Sequence, residues 1–386
     1  MNETLQSELL GELLDLQASK MPYLDDSWST TSVHRYFDET YFAEEREALL
    51  LRQPRIVLHG SEVQERGSFA RVELAGRPLL IVRGEDDVVR GFYNVCRHRG
   101  AQLVEAQSGC SRRFSCPYHA WTFSNAGQLV GVPHEQSGFP NLEREKMGLH
   151  EVACVEYGGW IWVRLEGEDP LDIAGFLGVL NDEVVSLGGE SLAVFRSDTW
   201  TFDANWKLIV EGGLEAYHFR VAHRETIAPL FLDNLSSYRS FDRHIRSVLP
   251  RSHLQSLAEK PREDWSIRAD ANVIYTLLPT TQFLVQQDHT AWIQLEPLSA
   301  GRTRLRLSTV VPRAELVPEK EAYWRKNHDL TVRTLREDFA IGEGIQRGLA
   351  SGANRNLNFG RYEGALQCFN QALEREIEQW KAAANS

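Results

Sequence analysis

Two short stretches, Cys96-Arg97-His98 and Cys116-Pro117-Tyr118-His119, carry most of the information in this sequence. Each brings a cysteine and a histidine close enough for one loop to offer two metal ligands, and 17 residues separate the two stretches. They lie within a segment, 55–165, in which short apolar runs alternate with turns that contain glycine. That pattern is typical of a small antiparallel β domain. The sequence therefore predicts a metal centre held by two loops of a β domain.

Two kinds of metal centre use such a ligand set. Two thiolates and two imidazoles can hold a tetrahedral zinc ion. They can also hold a Rieske [2Fe–2S] cluster, in which the cysteines bind one iron and the histidines bind the other. Common zinc modules leave at least two residues between paired ligands, whereas Cys96 and His98 have one residue between them. The spacing therefore favours a cluster bound by Cys96, His98, Cys116 and His119, with structural zinc as the alternative.

Composition and charge exclude several other classes of protein. The chain has 386 residues, of which 42% are hydrophobic and 25% charged, as expected for two or three folded domains. A net charge of −12 argues against binding to nucleic-acid phosphates, and no apolar run is long enough to predict a membrane span. The first residues do not resemble a secretory signal, so we expect a cytoplasmic protein with reduced thiols. The remaining cysteines, Cys110, Cys154 and Cys368, are predicted to be buried.

The pattern of apolar residues outside the β segment is mixed. Residues 199–225 are predicted to be helical, and 226–272 to be loops with a short helix. We expect an α+β protein in which an all-β domain is inserted. The other predicted helices are near Leu5–Leu16, Glu44–Leu51, Pro318–Leu349 and Glu363–Ala384, and the predicted strands are Val273–Leu278, Gln282–Gln286, Ala291–Leu295 and Thr303–Val311.

A second group of possible metal ligands follows the β segment. His218 and His223 are five residues apart. Two histidines and one carboxylate form the facial triad that binds Fe(II) and leaves positions open for O2 and substrate. On a regular helix these two side chains would diverge by ~140°, so we expect the helix to end or bulge between them. Alone, such a pair is more often one surface histidine and one core histidine, but beside the Cys/His loops it indicates a second iron site.

These motifs carry a resemblance to a known family. The stretches Cys96–Gly100 and Cys116–Trp121, followed by Asn205-Trp206-Lys207, Glu211 and the two histidines, resemble the α subunits of Rieske non-haem iron oxygenases, the aromatic-ring-hydroxylating dioxygenase family. The resemblance implies a Rieske [2Fe–2S] domain at 52–165. It also implies a helix-grip catalytic domain, an antiparallel sheet with helices, made of 1–51 and 166–386 and holding mononuclear Fe(II).

The resemblance also implies roles for two carboxylates. Asp338 lies where the family has its third iron ligand, while Glu337 and Glu343 are interpreted as solvated or ion-paired helix charges. Glu215 stands where most members have an Asp that bonds an iron-ligating histidine and a cluster histidine of the neighbouring subunit. Glu215 is therefore the candidate catalytic residue that couples the two centres, on the same helix face as His218. A Glu here resembles the carnitine and glycine-betaine monooxygenase branch.

Together these features imply the terminal oxygenase of a multicomponent system that uses O2. The chain has no dinucleotide-binding glycine motif, so electrons are expected from a reductase of the flavin and ferredoxin type or from a separate ferredoxin. In the family, the cluster and the iron of one chain are too far apart for efficient transfer, which implies a homotrimer. A pure electron carrier would leave the residues after the Rieske segment unexplained, and a zinc-stabilised binding protein would be colourless.

The substrate is expected to be a small organic molecule, in the first place aromatic. The predicted pocket walls include Val221, Ala222, Ile227, Leu230 and Phe231, together with strands between Val273 and Leu295. An apolar pocket would favour aromatic hydroxylation. A cage built from Tyr275 or Trp292 would favour a quaternary ammonium substrate of the carnitine or betaine type through cation–π contact.

Overall fold

The chain forms two units, one of which is inserted in the sequence of the other. The computed structural model describes residues 1–384. The inserted unit comprises Pro54–Phe176 and Gly188–Ala193. The larger unit comprises Met1–Gln53, Leu177–Leu187 and the described residues from Val194 onward. Within residues 1–384, no helix is both long enough and apolar enough to cross a membrane.

The two kinds of regular structure are both abundant. The α-helices of the described residues are α1 (Glu3–Ser19), α2 (Glu39–Glu45), α3 (Glu135–Gly138), α4 (Ile173–Leu177), α5 (Asn181–Val185), α6 (Trp206–Gly212), α7 (Phe219–Ala222), α8 (Ile267–Asp270), α9 (Glu321–Ala350) and α10 (Gly364–Ala384). The strands are β1 (Ser29–Ser32), β2 (Arg55–His59), β3 (Ser68–Leu74), β4 (Arg77–Arg83), β5 (Val89–Tyr93), β6 (Ser108–Cys110), β7 (Arg113–Ser115), β8 (Thr122–Ser124), β9 (Leu129–Gly131), β10 (Glu151–Tyr157), β11 (Trp160–Arg164), β12 (Leu192–Phe202), β13 (Ser237–Phe241), β14 (His244–Pro250), β15 (Ala271–Leu277), β16 (Thr281–Val285), β17 (Thr290–Ser299), β18 (Arg302–Pro312) and β19 (Asn356–Phe359).

The inserted unit is built from two antiparallel sheets. Its seven-stranded sheet has the order β2-β11-β10-β5-β4-β3-β6, and a three-stranded sheet has the order β7-β8-β9. Apolar residues of both sheets form one core that includes Phe69, Phe92 and Phe123, and this core reaches Cys96 and Cys116. The two Cys/His stretches are therefore the loops between β5 and β6 and between β7 and β8. A packed core fixes the base of each loop.

The larger unit is a helix-and-sheet layer structure. Its antiparallel sheet has the order β12-β18-β17-β16-β15-β14-β13, and β1 pairs separately with β19. The buried residues of α9 recur every three or four positions, from Trp324 through Leu335 and Phe339 to Leu349, so the helix presents one stripe to the core. Helices α6, α9 and α10 share that core with β17 and β18. The predicted α+β class is confirmed.

Three strands of this sheet were missed by the sequence patterns. The predicted strands from Val273 to Val311 correspond to β15–β18, but 199–202 belongs to β12 rather than to a helix, and β13 and β14 lie in the stretch predicted as loops. Strand β14 is buried at every position although it contains His244 and Arg246. Arg246 is accommodated there because Nη1 donates to Glu183 Oε1 at 2.7 Å. A buried strand was therefore not predicted here, because its charged residues are paired inside the protein and give the sequence a polar pattern.

Candidate metal centres

The two Cys/His loops have the same backbone geometry. In the first, Cys96 N–H donates to Ala101 O (2.8 Å) and Gly100 N–H donates to Cys96 O (3.0 Å). In the second, Cys116 and Ala120 make the equivalent bonds, to Trp121 O (2.8 Å) and Cys116 O (2.9 Å). The fourth residue after each cysteine is left-handed, with φ of 75° at Gly100 and 57° at Ala120. Each loop thus turns sharply after its cysteine and histidine, so that both side chains point to one place.

The cysteines of the two loops lie close together, and so do the histidines. Cys96 and Cys116 are buried, whereas His98 is half-buried and His119 exposed. The Nδ1 atoms of the histidines are 3.2 Å apart. Burial, and after it the nearby Cys116 thiol, raises the pKa of Cys96. Two inner sulfurs and two outer imidazoles fit a cluster with one iron toward the core and one toward the surface.

The structure gives a physical role to the motif Asn205-Trp206-Lys207. Asn205 begins α6, and its side chain accepts from Lys207 N–H at 2.9 Å. The fully buried Lys207 ammonium donates to Glu45 Oε1 at 2.5 Å. Glu211 accepts from the Tyr36 hydroxyl at 2.5 Å, and burial raises the pKa of Glu211 to about 7. These paired buried groups fix α6, which ends at Gly212 just before the candidate iron ligands.

His218, His223 and Asp338 meet at a second site. The two Nε2 atoms are 3.1 Å apart, and Asp338 Oδ1 lies 3.1 Å from His223 Nε2 and 3.8 Å from His218 Nε2. One ligand atom from each residue lies within 4.8 Å of the others. Burial lowers the pKa of His223, but Asp338 and then Glu337 outweigh it and raise that pKa, so the site favours a cation. Two imidazoles and a carboxylate fit mononuclear Fe(II).

The local backbone at this site differs from the prediction. No helix carries both histidines: α6 ends six residues before His218, and His218 and His223 flank the four-residue α7. The expected end of a helix between the histidines is found, because α7 ends at Ala222, but the continuous helix predicted over 199–225 is wrong. Because α7 is a single short turn, both rings can be directed to one point. Glu215 likewise lies in a turn rather than on a helix face shared with His218.

Each histidine is held by a different carboxylate at its other ring nitrogen. Glu215 is buried, contacts His218 Nδ1 and accepts from the backbone N–H groups of Tyr217 and His218. Glu337 accepts from His223 Nδ1 at 2.7 Å and from Thr226 Oγ1 at 2.6 Å. Such outer carboxylates orient a ligating imidazole and set its tautomer. Glu337, interpreted from the sequence as a helix charge, is thus a positioning residue.

A cavity of about 120 Å³ adjoins the three candidate iron ligands. It is lined mainly by apolar side chains, and its wall contains Ile227, Leu230 and Phe231 as predicted. Val221 and Ala222 are not part of the lining, and Val221 is 82% exposed. The remaining lining residues are Ile209, Gly212, Gly213, His218, Phe219, His223, Leu249, Arg251, Asn272, Ile274, Gln282, Leu284, Gln286, Ile293, Leu330, Thr331, Thr334, Leu335 and Asp338.

Two residues considered as possible members of an aromatic cage do not line this cavity. Tyr275 and Trp292 are buried, but they lie on the other face of the sheet from Ile274 and Ile293, which do line it. The Tyr275 hydroxyl instead donates to Glu183 Oε2 at 2.6 Å. These two residues therefore form no cage at the cavity.

The three other cysteines stand apart from both sites. Cys110 is exposed, contrary to the prediction, because it lies at the end of the edge strand β6. Cys154 and Cys368 are partly buried. None of the three belongs to the cavity or to the described groups of candidate ligands.

Comparison with known proteins identifies the two domains in which these groups of residues lie. Residues 53–154 match the family described as Rieske [2Fe-2S] domain, and residues 190–379 match the ring hydroxylating alpha subunit (catalytic domain). The second match accounts for residues that a pure electron carrier would leave unexplained, and the first favours a cluster over structural zinc.

Individual relatives include both dioxygenases and monooxygenases. The chain is 33% identical to the 2-aminobenzenesulfonate 2,3-dioxygenase subunit alpha of Alcaligenes sp over 50% of this chain, and it spans half the length of that relative. It is 28% identical to the carnitine monooxygenase oxygenase subunit of Acinetobacter pittii over 85% of this chain and 86% of the relative. A crystal structure of a quaternary ammonium Rieske monooxygenase with L-carnitine has a similar fold, with a TM-score of 0.77 and 23% identity over 92% of this chain and 96% of the other.

Proposed function

Because the chain belongs to the Rieske-type ring-hydroxylating oxygenase α subunits, we propose that it is the terminal oxygenase of a multicomponent system that hydroxylates a small organic substrate. The observation that carries the proposal is the presence of two groups of candidate ligands in one chain. The two Cys/His loops bring their side chains together, and a separate group of two histidines and a carboxylate adjoins an apolar cavity. A zinc-stabilised binding protein would not need the second group.

The family's cofactors are a Rieske [2Fe–2S] cluster and mononuclear iron, with O2 as co-substrate. We propose Cys96, His98, Cys116 and His119 as the cluster ligands and His218, His223 and Asp338 as the iron ligands. When bound, the cluster would supply electrons one at a time, and the iron would supply O2 activation.

The residues around the iron ligands would prepare the site for this chemistry. Glu215 and Glu337 hold His218 and His223 by their Nδ1 atoms, which leaves both Nε2 atoms free to bind metal. Apolar side chains such as Phe219, Ile274 and Leu335 would exclude water and hold the substrate against the open face of the site.

The cavity lining favours an aromatic substrate over a quaternary ammonium one. The relatives named above act on 2-aminobenzenesulfonate and on carnitine, so both classes are candidates. The aromatic residues of the lining are Phe219 and Phe231, which pack edge to face with their centroids 5.5 Å apart. Two rings in mutual contact do not surround a cation. Hydroxylation of an aromatic compound is therefore the first candidate, and oxidation of a quaternary ammonium compound is the second.

We also propose a redox partner. A reductase of the flavin and ferredoxin type, or a separate ferredoxin, would supply the electrons. The net charge of −12 suits a partner with a basic docking patch.

The metal content of the purified protein tests the proposal directly. We expect a red-brown protein with about two irons and two acid-labile sulfides in the cluster, and about one further iron, per chain. Iron and sulfide assays, together with the visible spectrum, measure this. A colourless protein that contains one zinc and no sulfide would show that the reaction proposed here is wrong.

We further propose that the active protein is a homotrimer, as in the family. A closed cyclic oligomer gives the cluster of every chain one acceptor iron in the neighbouring chain. Light scattering coupled to size-exclusion chromatography is expected to give three times the mass of one chain. A protein that is fully active as a monomer would contradict this arrangement.

A further inference from the structure

The end of the cavity away from the iron ligands is polar. One face of the sheet forms this wall, because Leu249, Ile274 and Leu284 lie on neighbouring strands and all line the cavity. Two positions from these residues, toward the same end of the strands, are Arg251, Asn272 and Gln286. The period of two along a strand keeps them on the cavity face. The cavity wall is therefore mainly apolar and has a group of polar side chains toward this end.

The cavity is long enough for one aromatic ring. Helix α9 lines it from Leu330 to Asp338, the candidate iron ligand. Eight residues of helix correspond to ~12 Å. A ring of the benzoate type, with one substituent directed away from the iron site, fits such a span.

Arg251 is the charged group at the polar end, and most of its donor capacity is free. Its Nη2 donates to Asn272 Oδ1 at 3.0 Å, but its Nε is buried and has no hydrogen-bond partner. Among residues 1–384, no carboxylate lies within ion-pair distance of its guanidinium. Burial lowers the pKa of Arg251, although the charges of Asp288 and Asp270 partly offset this effect. An anion bound directly to the guanidinium would offset more of the desolvation of the cation.

The neighbouring carboxylates are used elsewhere. Asp270 lies 3.4 Å from His253 Nε2, and Asp288 accepts from His289 Nδ1 at 2.8 Å and from the Tyr323 hydroxyl at 2.5 Å. A second unused donor belongs to the same cavity, because Gln286 lines it and its Nε2 is buried without a partner. A guanidinium and an amide N–H group with unused donors form a binding site for a planar or tetrahedral oxyanion.

We propose that Arg251, assisted by Gln286, binds the anionic group of an aromatic carboxylate or sulfonate and so directs the opposite part of the ring to the iron site. The reaction that this assignment implies rests on the proposed function, whereas the binding of the anion does not depend on it. It names the substrate class as an aromatic acid. Carnitine and betaine also carry a carboxylate that suits Arg251, but their ammonium head would find no other charge partner here, because the cavity's one lining carboxylate is the candidate iron ligand Asp338.

Matched probes test this assignment by binding alone. Isothermal titration would compare 4-methylbenzoate, 4-methylbenzenesulfonate, the neutral 4-methylbenzamide and trimethylphenylammonium, with the metal-loaded protein kept anaerobic and without reductant. We expect one of the two anions to bind at least about tenfold more tightly than the amide, since charge-assisted hydrogen bonds are worth ~1.5–3 kcal/mol. Which anion binds more tightly distinguishes a carboxylate from a sulfonate substrate.

Variants separate a direct contact from a structural effect. Arg251→Gln is expected to weaken binding of the preferred anion about 10- to 100-fold and to leave amide binding within about threefold. Arg251→Lys keeps the charge but loses the planar guanidinium with its paired N–H donors, so an intermediate loss of anion affinity is expected. Arg239→Gln is the matched control, because Arg239 lies on β13 of the same sheet, is half-exposed and pairs with Glu12.

The outcomes that overturn the assignment are specific. They are equal affinity of wild type for the anions and the amide, tighter binding of trimethylphenylammonium, no binding of any probe, or equal weakening of anion and amide by Arg251→Gln. If Arg251→Gln does not fold, the wild-type comparison and Arg251→Lys still decide. Anion binding that depends on Arg251, in a protein that consumes no O2 with any reductant, would instead contradict the proposed function and leave this site standing.

Discussion

Replacing Asp338 by alanine is expected to abolish product formation while the visible spectrum of the cluster stays unchanged. The carboxylate lies within 4 Å of both histidine Nε2 atoms, and it is the one negative charge among the three proposed ligands. Alanine would leave two imidazoles to hold a dication, which is too few ligands for a facial triad. Iron should therefore fall from about three to about two per chain, with acid-labile sulfide unchanged.

The control for this variant lies on the same helix. Asp329 is also on α9 but pairs with Arg196 at 3.6 Å and is half-exposed. Asp329→Ala should retain iron and turnover. His218→Ala should behave as Asp338→Ala does. Full mononuclear iron and normal turnover in Asp338→Ala would show that the third ligand has been misassigned.

The proposed ligands could be predicted from the sequence because most ligands of these metal sites lie close together in it. The cysteine and histidine of each cluster loop are two or three residues apart, and His218 and His223 are five apart. Residue type and spacing therefore carried most of the information. Glu337 was not recognised, since its role requires α9 to approach the turn that holds His223, 114 residues away in sequence. Its position next to Asp338 was the available signal.

The lining of the cavity is a second feature that the sequence alone could not predict. Alternation along Val273–Leu295 predicts two faces of a strand, but it does not say which face meets the helices. The observed register places Ile274 and Ile293 inside the cavity and Tyr275 and Trp292 on the other face. The same register also places polar residues in the cavity wall. Arg251 and Asn272 were not predicted there, because they lie at strand ends that the sequence patterns assigned to loops. Side-chain type alone therefore suggested the wrong substrate contacts.

Replacing Glu215 by glutamine is expected to slow electron transfer between the two metal centres about a hundredfold, the upper range for loss of an outer carboxylate. Both centres should remain loaded. Glutamine keeps the size of the side chain and an oxygen that can accept from Tyr217 N–H, so the turn should persist. What is lost is the negative charge beside His218 Nδ1. We propose that this charge also orients a cluster histidine of the neighbouring subunit. Glu215→Asp should be milder, because only reach is lost.

Single-turnover experiments measure the step in isolation. The cluster is reduced beforehand, and its reoxidation is followed optically after substrate and O2 are mixed in. Reoxidation at the wild-type rate in Glu215→Gln would show that this carboxylate does not couple the centres. Iron and sulfide assays on the same samples establish that any slowing does not reflect loss of a metal.

Glu337→Gln is the matched comparison, because Glu337 contacts the other histidine in the same way. Its carboxylate accepts from His223 Nδ1 and Thr226 Oγ1, so the amide should weaken iron binding about tenfold. With iron at saturating concentration, however, cluster reoxidation should stay within about threefold of wild type, because we assign Glu337 to orientation of His223 alone. Equal slowing by the two variants would mean that any charge beside a ligating imidazole controls the rate. A large effect confined to Glu215 would instead indicate that electrons enter through His218, the imidazole that Glu215 holds.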